Sequence, residues 1–433
     1  MLQSIKNAWR NIDIRKKILF TAMILVLYRI GAAVPVPYIS SDVMVTFKDQ
    51  LAGSLFEYMS LLSGDAFSKA TLFALSVSPY ITASIVIQLL TIAIPALERL
   101  SKEGEEGQKK ITTITRYVTV ALALVTSYGY YMLMKNYGFL TNTGVFAAIV
   151  IIASYGAGAA LIMWLAEKIN DKGIGNGISI ILFANIVSSA PNIILSLKSK
   201  IVDEAGKVSA WGIVVAVAAL VIGVAVVGFV VLVTDAERRI PVQYAKKVVG
   251  RKMYGGQNTN LPIKLNMSGV MPIIFANSIV AIPSTIAFFF PTPETGSFWY
   301  NVQKFFSYQS WFYIVIFAIL IVAFSYFYIA ISFNPVEVAN NLKKNGGFVP
   351  GIRPGKPTSD YIQKVLNKVT LMGAIFLGII AVVPLIVNLI SGNQFTSIAF
   401  SGSSLLIVVG VVLETVRELE SQMMMRHYKG FLE

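Results

Sequence analysis

Ten stretches of this chain are apolar for about 20 residues each, the length a helix rising 1.5 Å per residue needs to cross a hydrocarbon core. They fall at roughly 18–37, 70–97, 113–134, 145–166, 178–197, 211–233, 269–290, 311–333, 369–390 and 398–416. A soluble fold has no core large enough to cover so many helices that are apolar all round. Composition agrees: 55% of the 433 residues are hydrophobic and 13% are charged, against about 25% charged in an ordinary soluble domain. The expectation is an all-α polytopic membrane protein with ten transmembrane helices.

Charge placement orients those spans. An even number puts both ends of the chain on one side, and that side collects 28 of the 36 Lys and Arg. Seven lie on the other side. Arg29 lies inside the first span near its outer end, where a long side chain reaches the headgroups. The bias marks the basic side as cytoplasmic, so both termini are expected in the cytoplasm of a cell whose cytoplasmic membrane holds the protein. The basic flank 6–17, the apolar run 18–28 and Gly31-Ala32-Ala33 imitate a secretory signal. Nine further spans favour an uncleaved first anchor. Ten spans divide into an N-terminal half, 1–200, and a C-terminal half, 201–433. Five spans per half force opposite orientations, the arithmetic of an inverted repeat, although no internal sequence identity accompanies it.

The second apolar stretch is irregular. Its first part is amphipathic and broken by Ser63-Gly64-Asp65; Ser78-Pro79 follows, then a clean apolar helix from Tyr80 to Pro95. Pro79 removes a backbone donor and disfavours helix at Ser78. The segment reads as a half-helix, a break and a full helix. Broken backbone at membrane depth is tolerated inside protein or along a water-filled cavity; the alternative is a helix lying on the outer leaflet.

Residues that carry chemistry are scarce. Cys is absent and His427 is the only His, which leaves no thiolate metal site and no His-based triad. No Asp or Glu lies in the middle of a span, so a proton-relay transporter or an intramembrane aspartyl protease lacks its central groups. Gly351-Ile352-Arg353-Pro354-Gly355-Lys356 is one residue short of a P-loop, and Pro357 replaces the required Ser or Thr. The chain is expected to be no enzyme and to need no cofactor. Gly173-Ile174-Gly175-Asn176-Gly177 reads as a tight turn that starts a helix close to its neighbours.

Two long basic loops remain on the cytoplasmic side. In 234–266, Ile240, Val242 and Tyr244 alternate before the turn signals Gly250 and Gly255-Gly256, the pattern of a β-hairpin. Its seven cations suit anionic lipid, ribosomal RNA or an acidic partner surface. The loop 334–368 carries six Lys or Arg against two acids, a docking surface for a large partner. Within it Arg353, between Gly351 and Pro354, sits on a rigid turn suited to presenting one guanidinium.

These segments together resemble the SecY family of protein-conducting channel subunits. The matching stretches are LSVSPYITASIVIQLLT at 75–91, GIGNGISIILF at 173–183, ERRIPVQYA at 237–245, LNMSGVMPIIFA at 265–276, the loop 334–371 and GSSLLIVV at 402–409. They keep the same order and topological positions across nearly the whole chain. The resemblance implies two inverted five-helix halves around an hourglass pore whose waist is a ring of apolar side chains. The matching positions are Ile81, Ile85, Ile178, Leu182, Ile274 and Ile407; position 182 is Leu where Ile is commoner in relatives. It implies a half-helix plug at about 56–71, including Ser63, Gly64, Asp65, Phe67 and Ser68. It implies a lateral gate between the second, third, seventh and eighth spans, with Gln88, Thr91 and Asn277 on it. Arg238, Arg239, Lys246, Lys247, Arg251, Arg353 and Lys356 match the docking loops for the SecA ATPase and the ribosome. SecE-like and SecG-like small subunits, membrane lipid and preproteins with signal sequences are the other implied partners. The implied function is translocation of secretory polypeptides across the cytoplasmic membrane, with sideways release of transmembrane segments into lipid.

Overall fold

Each of the ten apolar runs carries helix in the computed structural model, which describes residues 9–40, 59–60, 62–189, 191, 210–244, 247–249, 252–254, 258–287, 289, 305–307, 310–390 and 401–429. In the first half these are α1 (Ile12–Gly31), α2 (Ser78–Ala93), the short α3 (Pro95–Lys102), α4 (Glu105–Asn136), α5 (Val145–Lys172) and α6 (Gly177–Ser188). The second half begins with α7 (Ala210–Asp235) and strands β1 (Glu237–Tyr244), β2 (Lys247–Val249), β3 (Lys252–Tyr254) and β4 (Asn258–Lys264). It continues with α8 (Met271–Val280), α9 (Ile282–Ala287), α10 (Trp311–Ser332), α11 (Pro335–Lys344), β5 (Gly347–Phe348), α12 (Lys356–Ile390) and α13 (Ser401–Lys429).

Among the described residues, four helical stretches are long and apolar enough to cross a membrane alone: Glu105–Asn136, Val145–Lys172, Trp311–Lys344 and Lys356–Ile390. The pair α2 and α3 is a fifth candidate, bent by 101°. The bend lies at Ile94-Pro95, where proline holds Ile94 extended at φ −109°, ψ 112°. Helix α1 starts six residues before the apolar run and ends at Gly31, so residues 32–37 are turn and bridge instead of span. Asn11 caps it by accepting from the Asp13 amide. The run 269–290 is divided at Ala281, because Pro283 cannot continue the α8 hydrogen-bond ladder.

Packing groups the long helices into two sets. Helices α1, α2, α4, α5 and α6 pack with one another, as do α7, α8, α10, α12 and α13; α2 against α8 and α6 against α13 are the main contacts between the sets. Helix α9 adds a third against α4, and just past its end Phe289 meets Tyr128 at 6.0 Å. One buried apolar cluster runs through both sets, from Tyr28 and Ile81 through Leu182 and Ile274 to Ile407. The glycine-rich turn before α6 permits a close approach: a Cβ on Gly177 would fall 2.0 Å from the Ala166 carbonyl of α5. Asn176 caps α6 through the Ile178 and Ser179 amides.

Two expectations are corrected. The segment expected as a half-helix is helical only at 59, 60 and 62; residues 63–70 are turns, and 56–58 and 61 lie outside the described residues. Gly64, Asp65 and Ala70 have φ of 63°, 66° and 49°, left-handed values that stop a right-handed helix. The loop 334–368 is mostly helix. α11 starts on Asn334, which accepts from the Val336 and Glu337 amides, and α12 begins at Lys356. Ile362, Leu366 and Val369 share one face of that early part of α12 and are buried against Ile240, Val242 and Ile263 of the hairpin.

Candidate functional site

Four helices from the two halves converge on one small cavity of about 40 Å³. α2 supplies Ile81, α6 supplies Leu182, α8 supplies Ile274 and α13 supplies Ile407. All four side chains are buried, Ile407 to 1% exposure. Ile85 sits one turn beyond Ile81 and is buried in the same apolar cluster without facing the cavity; Ile178 packs on that cluster one turn before Leu182. The six positions read from the sequence therefore share one cluster, and four of them face one void. These four side chains offer ions no ligand and water no partner, the physical basis of closure by dewetting; the polar part of the lining comes from Ser76, Ser78, Asn277 and Ser278.

The turn segment after Leu62 closes one side of this cavity through Leu62 and residues 74–78. It is internally bonded: the Phe67 amide donates to Ser63 Oγ at 2.9 Å, and Ser68 Oγ donates to the Asp65 carbonyl at 3.1 Å. Phe67 is fully buried against Tyr130, ring centroids 4.8 Å apart. The Leu72 amide donates to the Val34 carbonyl, tying the segment to the chain after α1. Sequence reading missed the side chains that hold it: Tyr130, Tyr155 and Asn185, each of which donates to one of its carbonyls. An amide inside the apolar run 178–197 was the available signal, since a polar group there is costly without partners.

The polar residues expected on a lateral gate are split. Asn277 lines the cavity, buried, with its Nδ2 unpartnered. Gln88 and Thr91 lie toward the other end of α2 and bond within it: Gln88 Nε2 to Ser84 Oγ at 3.3 Å, Thr91 Oγ1 to the Gln88 carbonyl at 2.6 Å.

The two basic loops form one platform. β1 pairs antiparallel with β4 from Glu237↔Lys264 to Gln243↔Asn258, the hairpin its alternation predicts, and β2 with β3 forms a separate two-stranded sheet. β5, from the other loop, adds to the free edge of β1 through Gln243↔Phe348 and Tyr244↔Gly347. Ile240 and Val242 point inward; Arg238 and Arg239 are exposed. Arg239 pairs with Glu237 at 2.6 Å, a surface pair worth about 0–1 kcal/mol. Arg353 is exposed on the turn between Gly351 and Gly355, Lys356 is exposed at the start of α12, and the Arg353 carbonyl accepts from Thr358 Oγ1 at 2.8 Å. Lys247 lies on β2, while Lys246 and Arg251 lie outside the described residues. At the platform base Arg417 of α13 donates to the Asp235 carboxylate and, at 3.1 Å, to the Thr234 carbonyl. Burial, then the Arg417 guanidinium, hold the Lys264 ammonium below its ordinary pKa. Among the described residues no three His, Cys, Asp or Glu gather as a metal site.

An apolar constriction shared by two helical sets, a turn segment against it and a basic platform at one end can be compared with known proteins. The family model SecY matches residues 71–416. The protein translocase subunit SecY of Streptomyces scabiei is 42% identical over 446 residues, covering 100% of both chains. That of Mycobacterium tuberculosis H37Rv is 42% identical over 451 residues with the same coverage. In shape, a solved protein conducting channel superposes with a TM-score of 0.65 at 17% identity, over 95% of this chain and 93% of that one. Sec61 in the canine ribosome-channel complex from the endoplasmic reticulum gives 0.63 at the same identity and coverage. Full-length identity to bacterial relatives, with the channel fold beneath it, places this chain in the SecY family.

Proposed function

We propose that this chain is the protein-conducting channel subunit of a cytoplasmic-membrane translocase. The observation that carries the reading is the apolar constriction built from Ile81, Leu182, Ile274 and Ile407 on four helices of both halves. In the full reading, ten spans form two inverted halves, residues 1–200 and 201–433, around an hourglass pore with both termini cytoplasmic. Residues 56–71 are its plug. The passing chain needs no covalent chemistry from the channel. It displaces apolar side chains that otherwise exclude ions, and the constriction reseals behind it.

Sideways release needs only a seam between the halves. The contact of α2 with α8, continued by α4 against α9, is the seam proposed as the lateral gate. A segment exposed there partitions by its own transfer free energy: central Leu or Ile contribute about −0.5 kcal/mol each and central Arg or Asp about +3 kcal/mol. A run of roughly 20 apolar residues therefore leaves into lipid, while a polar chain crosses. Energy comes from a partner, a SecA-type ATPase or a translating ribosome, on the platform of Arg238, Arg239, Arg353 and Lys356. SecE-like and SecG-like subunits complete the complex.

The deciding experiment is translocation of a radiolabelled preprotein into liposomes that hold this protein and a SecE-like partner, with SecA and ATP outside. Protease-protected product that disappears without SecA is the expected result. Its absence, with folded channel and active SecA in hand, overturns the SecA-driven reading.

A further inference from the structure

The turn segment beside the constriction is strained as well as buried. Asp65, Ala70 and Ser76 adopt φ of 66°, 49° and 51° without being glycine. Such backbone persists only where the surroundings over-determine it. Here the surroundings are side-chain donors on three helices. Tyr130 of α4 donates to the Phe67 carbonyl at 2.6 Å, and Tyr155 of α5 to the Ala70 carbonyl at 3.2 Å. Asn185 of α6 donates from Nδ2 to the Leu62 carbonyl at 2.8 Å and to Ser76 Oγ at 3.3 Å. Ser76 Oγ donates in turn to the same Leu62 carbonyl at 3.4 Å. Each tyrosine holds one point in the middle of the segment. Asn185 holds both ends, Leu62 and the last strained residue, Ser76.

The junction is dense. The Tyr28 hydroxyl is buried beside Asn185 and Ser76. A Cβ on Gly64 would fall 2.7 Å from Ser188 Oγ, 2.9 Å from Arg29 Nη1 and 3.2 Å from Asn185 Oδ1. The seated segment thus carries strained backbone, offset by a few donors on the neighbouring helices. Without the Asn185 donor, Leu62 and Ser76 lose a partner in a site where an unpaired group is costly.

We propose that Asn185 is a positioning residue that latches residues 62–77 in their seated conformation, and that it sets how readily the channel opens. The proposal rests on the channel reading and adds a release mechanism to it. Leu182 lines the cavity three residues before Asn185 on the same helix, so the two lie on neighbouring positions of one face. A polypeptide that pushes Leu182 aside moves α6, and the Asn185 amide leaves the Leu62 carbonyl. Entry of the substrate and unfastening of the segment are then one motion.

Resting conductance in planar bilayers, measured on the channel complex, tests this. Asn185→Leu keeps the size and removes the donor; Ser76→Ala weakens the same junction and carries the test if the first variant does not fold. Asn185→Leu is expected to raise resting open probability about tenfold, the scale of one lost buried hydrogen bond, with Ser76→Ala intermediate. Asn185→Leu is also expected to admit preproteins with weak signal sequences, a change that a merely destabilised fold would not produce. Ile274→Asn, at the constriction, serves as the leaking control. Unchanged conductance in both latch variants, with Ile274→Asn leaking, overturns the latch and leaves the channel reading standing. Silence in all three overturns the channel reading and the latch with it.

Discussion

At the constriction the deciding property of a residue is what it denies to water. Ile407 and Ile274 present only methyl and methylene groups to a cavity of about 40 Å³, so neither side chain offers water a hydrogen bond there. Replacing either by Asn supplies a donor and an acceptor. Both variants are expected to leak ions at rest, with open probability raised about tenfold or more, since each 1.4 kcal/mol is a factor of ten. Single-channel recording checks this, and unchanged leak in both would remove these residues from the gate. The apolar character of the six candidate ring positions was readable, and the i, i+4 spacing of 81/85 and 178/182 puts each pair on one helix face; their proposed place in a ring came only from the resemblance to the SecY family. Their convergence was not readable, since spacing within a helix says nothing about which helices meet. The Tyr28, Ser76 and Asn185 junction escaped for a related reason: its members lie far apart in sequence, and each alone is a single polar residue in an apolar run.

Among the elements, the long apolar helices were the most legible, because bilayer thickness sets their length. The hairpin followed from strict alternation at Ile240, Val242 and Tyr244. The early part of α12 did carry a signal in Ile362, Leu366 and Val369, but its many charges read as loop. β5 has two residues, too few for any pattern, yet it joins the two loops. That joining makes a specific expectation. Arg353 projects from a turn whose backbone is secured at Thr358 and whose side chain is exposed. Arg353→Glu should therefore lower SecA-driven translocation at least about tenfold, a charge reversal at an interface costing several kcal/mol, while the thermal unfolding midpoint stays unchanged. Normal transport in that variant would contradict the docking role.

For the molecule as a whole, the proposed lateral gate has the two helical sets part along one seam and hold along another. Ser78 at the start of α2 and Ser278 on α8 line the same cavity from opposite sides of that seam. The chain has no native cysteine, so Ser78→Cys with Ser278→Cys introduces the only two thiols. Joining them with a short cleavable bis-maleimide should stop translocation, and cleaving the linker should restore it. Continued transport with the linker closed would place the moving seam elsewhere. Helix α12 gives this picture its mechanics. It runs unbroken through 35 residues, with Pro384 near its far end, a rod of about 50 Å. One end begins at Lys356, just after the Arg353 turn; near the other, the Ile380 carbonyl lies so close to α13 that a Cβ on Gly402 would be 2.3 Å away. α13 bears Ile407. A tilt of about 3° imposed at the basic end would sweep the distal end of a rod that long through about 2–3 Å, comparable to the width of a methyl group. A partner gripping the basic turn thus has leverage on the constriction without reaching into it.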